Sequence, residues 1–165
     1  MPDTPEYLDR IRSYAKSEDP LEFQSRTPVI LEELVAGTSR QRLTTRPGPN
    51  KWSVSEILAH LAEDEIATAW RYRQMVEHNG IELAGFDQDM WARTGEYGSR
   101  VPEESLTLFR LLRAANLRFL RNLVPEQWES FGIHSERGRI SVRDLALHMA
   151  GHDANHVEQI RQILG

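Results

Sequence analysis

The chain has 165 residues, 39% of them hydrophobic and 27% charged, which fits one globular domain with a respectable core. A formal net charge of −5 argues against a general nucleic-acid binder, and the lack of cysteine excludes disulfides, thiolate ligands and a cysteine nucleophile. No apolar stretch reaches the ~18 residues of a membrane span and the opening Met-Pro-Asp-Thr-Pro-Glu lacks signal-peptide character, so a cytoplasmic protein without a membrane partner is expected.

Residues 1–19 read as an N-terminal extension. Within them Tyr7, Leu8, Ile11 and Tyr14 predict a short helix ending before Asp19-Pro20. Residues 20–165 form the expected bundle domain. Its first helix carries Leu21, Val29, Ile30, Leu31, Leu34 and Val35 and closes at Gly37, while Pro28 predicts a kink or a later start. Arg46-Pro-Gly-Pro-Asn50 then breaks the chain. Ser53-Val-Ser-Glu56 is a capping box, and Ile57, Leu58, Leu61, Ile66, Ala67, Trp70 and Met75 carry a second helix to about His78. Residues 79–100 hold four glycines and read as a long, partly structured connection of the type that overhangs a site. A third helix follows Pro102, with Leu106, Phe109, Leu112, Ala115, Leu117, Phe119 and Leu120 on its apolar positions. The connection from Pro125 to Gly138 precedes the last helix, and Phe131 to Ile140 suits a short hairpin. Ser141-Val-Arg-Asp144 opens that last helix, which runs to about Leu164. Ser53–His60 aligns without gaps to Ser141–His148, so the second and fourth helices have similar beginnings. The expected class is all-α, with four long helices.

His148, His152 and His156 stand four residues apart on the last helix. At ~1.5 Å per residue, neighbours lie roughly 6 Å apart on one face, close enough to share a divalent ion; the outer pair, about 12 Å apart, is not. His60 on the second helix offers a third imidazole. With Leu145, Met149, Ile160 and Ile163 around them, such a pair reads better as ligands than as solvated helix polarity. Spacing alone does not choose between His148/His152 and His152/His156. The order His152-Asp-Ala-Asn-His156 has zincin-like spacing, but with Asp153 where that motif has Glu, which disfavours protease chemistry. No Glu-x-x-His motif occurs, so a mononuclear site is preferred over a di-iron one.

Three neutral imidazoles suit zinc, nickel, copper or iron and leave coordination positions open, the arrangement that lowers the pKa of a bound water or thiol. Asp64, one turn after His60, is the candidate catalytic acceptor or base, although Glu63-Asp64-Glu65 also reads as a solvated acidic patch. Glu56 reads as the capping carboxylate. Gln159 either orients His156 or is helix-surface polarity. Trp91, Arg93 and Tyr97 suit a substrate mouth or local packing, and no role is assigned to them.

Trp52-Ser-Val-Ser-Glu-Ile-Leu-Ala-His60-Leu, with the later Ser-Val-Arg-Asp-Leu-Ala-x-His-x-x-x-His-Asp-x-x-His156-x-x-Gln159-Ile, resembles the DinB-like superfamily over most of residues 20–164. That group includes YfiT-type metal-dependent hydrolases and thiol S-transferases, and some members isomerise maleylpyruvate with mycothiol. The resemblance implies a four-helix bundle with up-down-down-up connectivity, often dimeric. It also implies a metal held by His60, His152 and His156, with His148 left as an extra neighbour. Zinc or nickel is expected first, then manganese or iron. A small electrophile is the expected substrate, with a low-molecular-weight thiol such as bacillithiol or glutathione as a candidate partner. The rival expectation is a non-catalytic bundle for dimerisation or small-molecule binding, its metal site structural or vestigial.

Overall fold

The computed structural model describes residues 5–14 and 19–165, except for the side chains at 5, 7, 8, 12 and 14. The side chains of Tyr7, Leu8 and Tyr14, expected on the apolar positions of the short N-terminal helix, are therefore outside what is described. In chain order the elements are α1 (Pro5–Tyr14), α2 (Pro20–Val35), α3 (Arg40–Thr44), α4 (Val54–Glu77), β1 (Ile81–Leu83), α5 (Gln88–Thr94), α6 (Pro102–Arg121), α7 (Pro125–Trp128), β2 (Phe131–His134), β3 (Gly138–Ser141) and α8 (Val142–Leu164). The four long helices are α2, α4, α6 and α8.

Local chemistry sets their ends. The Asp19 carboxylate accepts from the backbone N–H groups of Leu21 and Glu22, and Pro20 occupies the first turn of α2. The helix is continuous through Pro28 rather than starting after it. A proline has no N–H for the carbonyl four residues back, so Gln24 loses its helical partner. Arg113 of α6 replaces it, donating from Nη1 at 3.1 Å. Both expected capping boxes form, Ser53 with Glu56 on α4 and Ser141 with Asp144 on α8.

Side-chain partners give the helix directions. Thr27 meets Asp153 and Gln24 meets Ala146, so α2 and α8 run parallel. Ser55 meets Arg100 just before α6, Glu65 meets Arg113, and Arg73 meets Asn116, so α4 and α6 are also parallel. His60 meets His152 while Thr68 meets Met149, so α4 and α8 are antiparallel. The order is up-down-down-up. Two parallel neighbours in sequence need a connection that travels the length of the bundle, which residues 79–100 supply through β1, α5 and a 3₁₀ turn at Tyr97–Ser99. The expected hairpin exists as β2–β3, and β1 adds to it in parallel, Ile81 opposite Gly132. This three-stranded patch is the one departure from an all-helical chain among the described residues.

The apolar core is divided. One cluster gathers Leu31, Leu43, Val54, Ile57, Leu58, Leu61, Leu106, Phe109, Val157 and Ile160. The other gathers Tyr72, Met75, Leu83, Leu120, Val142, Leu145 and Met149. Between them lies a buried polar layer of Gln24, Thr27, His60, Asp64, Glu65, Thr68, Arg113, Asn116, His152, Asp153 and His156. This layer corrects several sequence expectations. Ile66 and Trp70, expected inward, are 44% and 65% exposed, because Asp64, Glu65 and Thr68 hold the inward positions of that stretch. On α6, Arg113 and Asn116 are inward where Leu112 and Ala115 were expected. No helix among the described residues is long and apolar enough to cross a membrane.

Candidate metal centre

His60 projects from α4, and His152 and His156 from successive turns of α8, all three buried. They form the one group of three or more His, Asp or Glu side chains among the described residues whose potential ligand atoms lie within 4.8 Å of one another. The Nε2 atoms converge: that of His152 lies 3.1 Å from His60 Nε2 and 3.1 Å from His156 Nε2. His148 stays outside this group. Its half-buried ring stacks on His152 with centroids 6.3 Å apart.

The donor set fits a metal ion. One ring nitrogen offers a single in-plane proton or a single lone pair, so His152 Nε2 cannot satisfy two neighbours at once. His156 Nδ1 faces Gln159 Oε1 at 2.9 Å, which assigns the proton to Nδ1 and leaves its Nε2 lone pair pointing at the centre. His152 Nδ1 is buried with no hydrogen-bond partner among the described residues, and its facing acceptor is Asp64 Oδ2 at 3.7 Å. A proton on Nδ1, facing that carboxylate, leaves the His152 lone pair on Nε2. Converging lone pairs repel each other unless a cation lies between them. The electrostatics agree, since burial holds His60 and His152 well below the usual imidazole range and brings His156 down to about 4. All three are therefore neutral, the form that ligates.

Asp64 is 8% exposed and is not part of a solvated patch. Burial, with the neighbouring Glu65, raises its carboxyl to about 7 against the pull of Arg71 and Arg137. Glu65 is buried as well, and Glu63 is paired with Arg100 at 2.7 Å. Glu56 serves as the capping carboxylate and as the partner of Arg46. Burial alone would raise its pKa, but Arg46 and the Ser53 N–H and hydroxyl hold it below the usual value. Tyr97 is buried against Trp52, whose ring in turn sits 5.0 Å from that of His60; Trp91 stacks on Phe86 at 4.3 Å. Arg93 is exposed.

Sequence reasoning missed the ionic half of the layer. Arg113 is 1% exposed and forks onto Asp153, with Glu65 on the same side of the fork. Its position was readable: Leu106, Phe109, Arg113, Leu117 and Leu120 follow one helical stripe, which puts the arginine among core residues. His134, also missed, is buried at the sheet, where Nδ1 accepts from the Glu136 N–H and Nε2 faces Arg71.

Fold and site together define a bundle with a buried three-histidine constellation between two antiparallel helices. Residues 25–160 match the DinB superfamily, and the chain belongs to that family. Two proteins of Oceanobacillus iheyensis, OB0782 and OB0413, are 25% identical over 137 residues and 23% identical over 134. Those alignments cover 82% and 79% of this chain, and 78% and 75% of the relatives. YfiT of Bacillus subtilis is 21% identical over 137 residues, covering 82% of this chain and 77% of its own. All three bear the name "putative metal-dependent hydrolase". The solved structure of YfiT, described as having an unusual four-helix bundle topology, superposes with a TM-score of 0.81 at 18% identity, over 97% of this chain and 87% of that one.

Proposed function

We propose that the protein is a metal-dependent enzyme acting on a small electrophile, by hydrolysis or by transfer of a low-molecular-weight thiol. The observation that carries this reading is the convergence of three buried, neutral Nε2 atoms, two of them 3.1 Å from the third. His60, His152 and His156 would hold the ion, with zinc or nickel as the first candidates. A divalent ion on three neutral imidazoles supplies Lewis acidity, which polarises an electrophile or acidifies an attacking O–H or S–H group. The protein's own residues do the rest. Gln159 accepts the Nδ1 proton of His156 and fixes that ring. Asp64, whose Oδ2 faces His152 Nδ1 at 3.7 Å, is the carboxylate on hand to accept a proton from the nucleophile. With no cysteine in the chain, any thiol nucleophile comes from a second substrate. The names of the relatives support hydrolysis, and the family resemblance keeps thiol transfer beside it. The exposed Ile66 and Trp70 on α4 support the homodimer that the resemblance implies.

The test is metal content per chain by elemental analysis of untagged protein purified without chelator. Near-stoichiometric metal is expected, lost in His60→Ala, His152→Ala and His156→Ala while the helical circular dichroism signal persists. The loaded protein is then assayed on activated aryl esters, and on an aryl halide with a thiol. No metal in the purified protein and no uptake on titration would overturn the proposal.

A further inference from the structure

The ionic half of the polar layer reaches every long helix through one side chain. From α6, Arg113 Nη2 donates to Glu65 Oε1 of α4 at 2.8 Å and to Asp153 Oδ1 of α8 at 2.9 Å. Nη1 donates to the other Asp153 oxygen and, at 3.1 Å, to the Gln24 carbonyl of α2 that Pro28 leaves without a helical partner. Thr27 of α2 adds a hydroxyl to Asp153 at 2.9 Å, and Asn116 of α6 holds the second Glu65 oxygen at 2.9 Å. The guanidinium also lies over the Phe109 ring, 4.7 Å from its centroid.

Its two carboxylate partners adjoin the metal centre in sequence. Asp153 follows His152, and Glu65 follows Asp64, the residue that faces His152 Nδ1. One nitrogen of Arg113 therefore ties the backbone beside a ligand on α8 to the backbone beside that ligand's carboxylate partner on α4. We infer that Arg113 is a positioning residue for the metal centre, setting the rotation and axial register of α8 against α4 so that His60 meets His152 and His156.

The physical reason lies in how differently the two parts of the core constrain sliding. The apolar clusters on either side are held by contacts with little directional preference, which tolerate small shifts of one helix past another. A planar fork bonded bidentately to one carboxylate and singly to another does not. Metal ligation needs distances within about 0.2 Å, so the register must be fixed more tightly than apolar packing fixes it. A lysine cannot substitute, because one ammonium cannot span both Asp153 oxygens, Glu65 and the Gln24 carbonyl in this geometry.

The inference rests on the three-histidine metal reading, and cobalt(II) titration of chelator-treated protein tests both separately. The probe is the metal alone, read by its affinity and by the visible absorption band of the bound ion. Thermal melts report folding in parallel. In Arg113→Lys, with cooperative folding retained, affinity is expected to fall about 10–100-fold and the band to change shape or intensity at saturation. Thr27→Val removes one donor to Asp153 without changing charge and is expected to shift both readouts in the same direction by less. It decides the matter if the lysine variant does not fold. If Arg113 only stabilises the fold, its replacement lowers the melting temperature and leaves cobalt affinity and the band of the folded protein at wild-type values; that result overturns the inference while the metal reading stands. Failure of the wild-type protein to bind cobalt at all overturns the metal reading and this inference with it.

Discussion

Replacing Asp64 with asparagine should stabilise the chelator-treated protein and weaken its grip on metal. The carboxyl stands near 7 in the folded chain, raised by burial and Glu65, and ionises near ~3.9 in the unfolded one. Between those values the folded state binds more protons, so its stability is full below about pH 4 and is lost as pH rises to about 7. At ~1.36 kcal/mol per unit, the buried carboxylate costs about 4 kcal/mol at pH 8 but only about 1.5 kcal/mol at pH 5. Asparagine keeps the shape and removes the charge. Asp64→Asn should therefore exceed wild type by up to about 4 kcal/mol at pH 8, with the gap shrinking by about 2–3 kcal/mol at pH 5. Metal affinity should move the other way. The amide lacks the negative charge that faces His152 Nδ1 at 3.7 Å, and losing such a partner beside a ligand typically costs ~10–100-fold in affinity. Urea unfolding at the two pH values measures the first quantity, and zinc titration against a competing chelator measures the second. A stability gap identical at both pH values, or zinc affinity unchanged in the variant, would refute the assigned position of this carboxylate.

Three further outcomes are expected. Gly151→Ala should lower the melting temperature, although alanine in a helix normally gains ~1 kcal/mol over glycine. A Cβ there would overlap the Ile11 carbonyl oxygen and lie 2.6 Å from Ile11 Cγ2, pushing α1 off α8. Overpacking of ~1–3 kcal/mol, or the lost burial of Ile11, outweighs the propensity gain. A net loss of about 1 kcal/mol moves the midpoint down by roughly 2–4 °C, and a rise would show that α1 does not pack as described. Acid should destabilise the chelator-treated protein through its histidines. His156 takes a proton at about 4 in the folded chain and near ~6.5 unfolded, so its stability contribution is full above pH 6.5 and about 3 kcal/mol is lost by pH 4. Asp64 acts with the opposite sign in the same range, so the slope is best measured in the Asp64→Asn background; a flat profile from pH 7 to 4 would argue against neutral buried imidazoles. Finally, His148→Ala should keep stoichiometric metal by elemental analysis, because its ring flanks His152 without joining the converging Nε2 atoms.

Much of this protein was readable without coordinates, because local chemistry carries the information. Ser53 with Glu56 and Ser141 with Asp144 mark helix starts through hydrogen bonds that span only three residues. The i, i+4 spacing of His152 and His156 places both rings on one face whatever surrounds them. The hairpin at Phe131–Ser141 is equally local. Tertiary structure alone decided the rest. Spacing could not say whether His148 or His156 shares a cluster with His152; in the fold the Nε2 atoms of His60 and His156 both meet that of His152, and His148 lies outside the group. Nor could periodicity say that Arg113, Glu65 and Asp64 lie inward while Ile66 and Trp70 face out. A charged side chain enters a core only when its partners arrive from other helices, as Asp153, Glu65 and the carbonyl freed by Pro28 do for Arg113. Those partners lie 40, 48 and 89 residues away along the chain, beyond the reach of any local pattern.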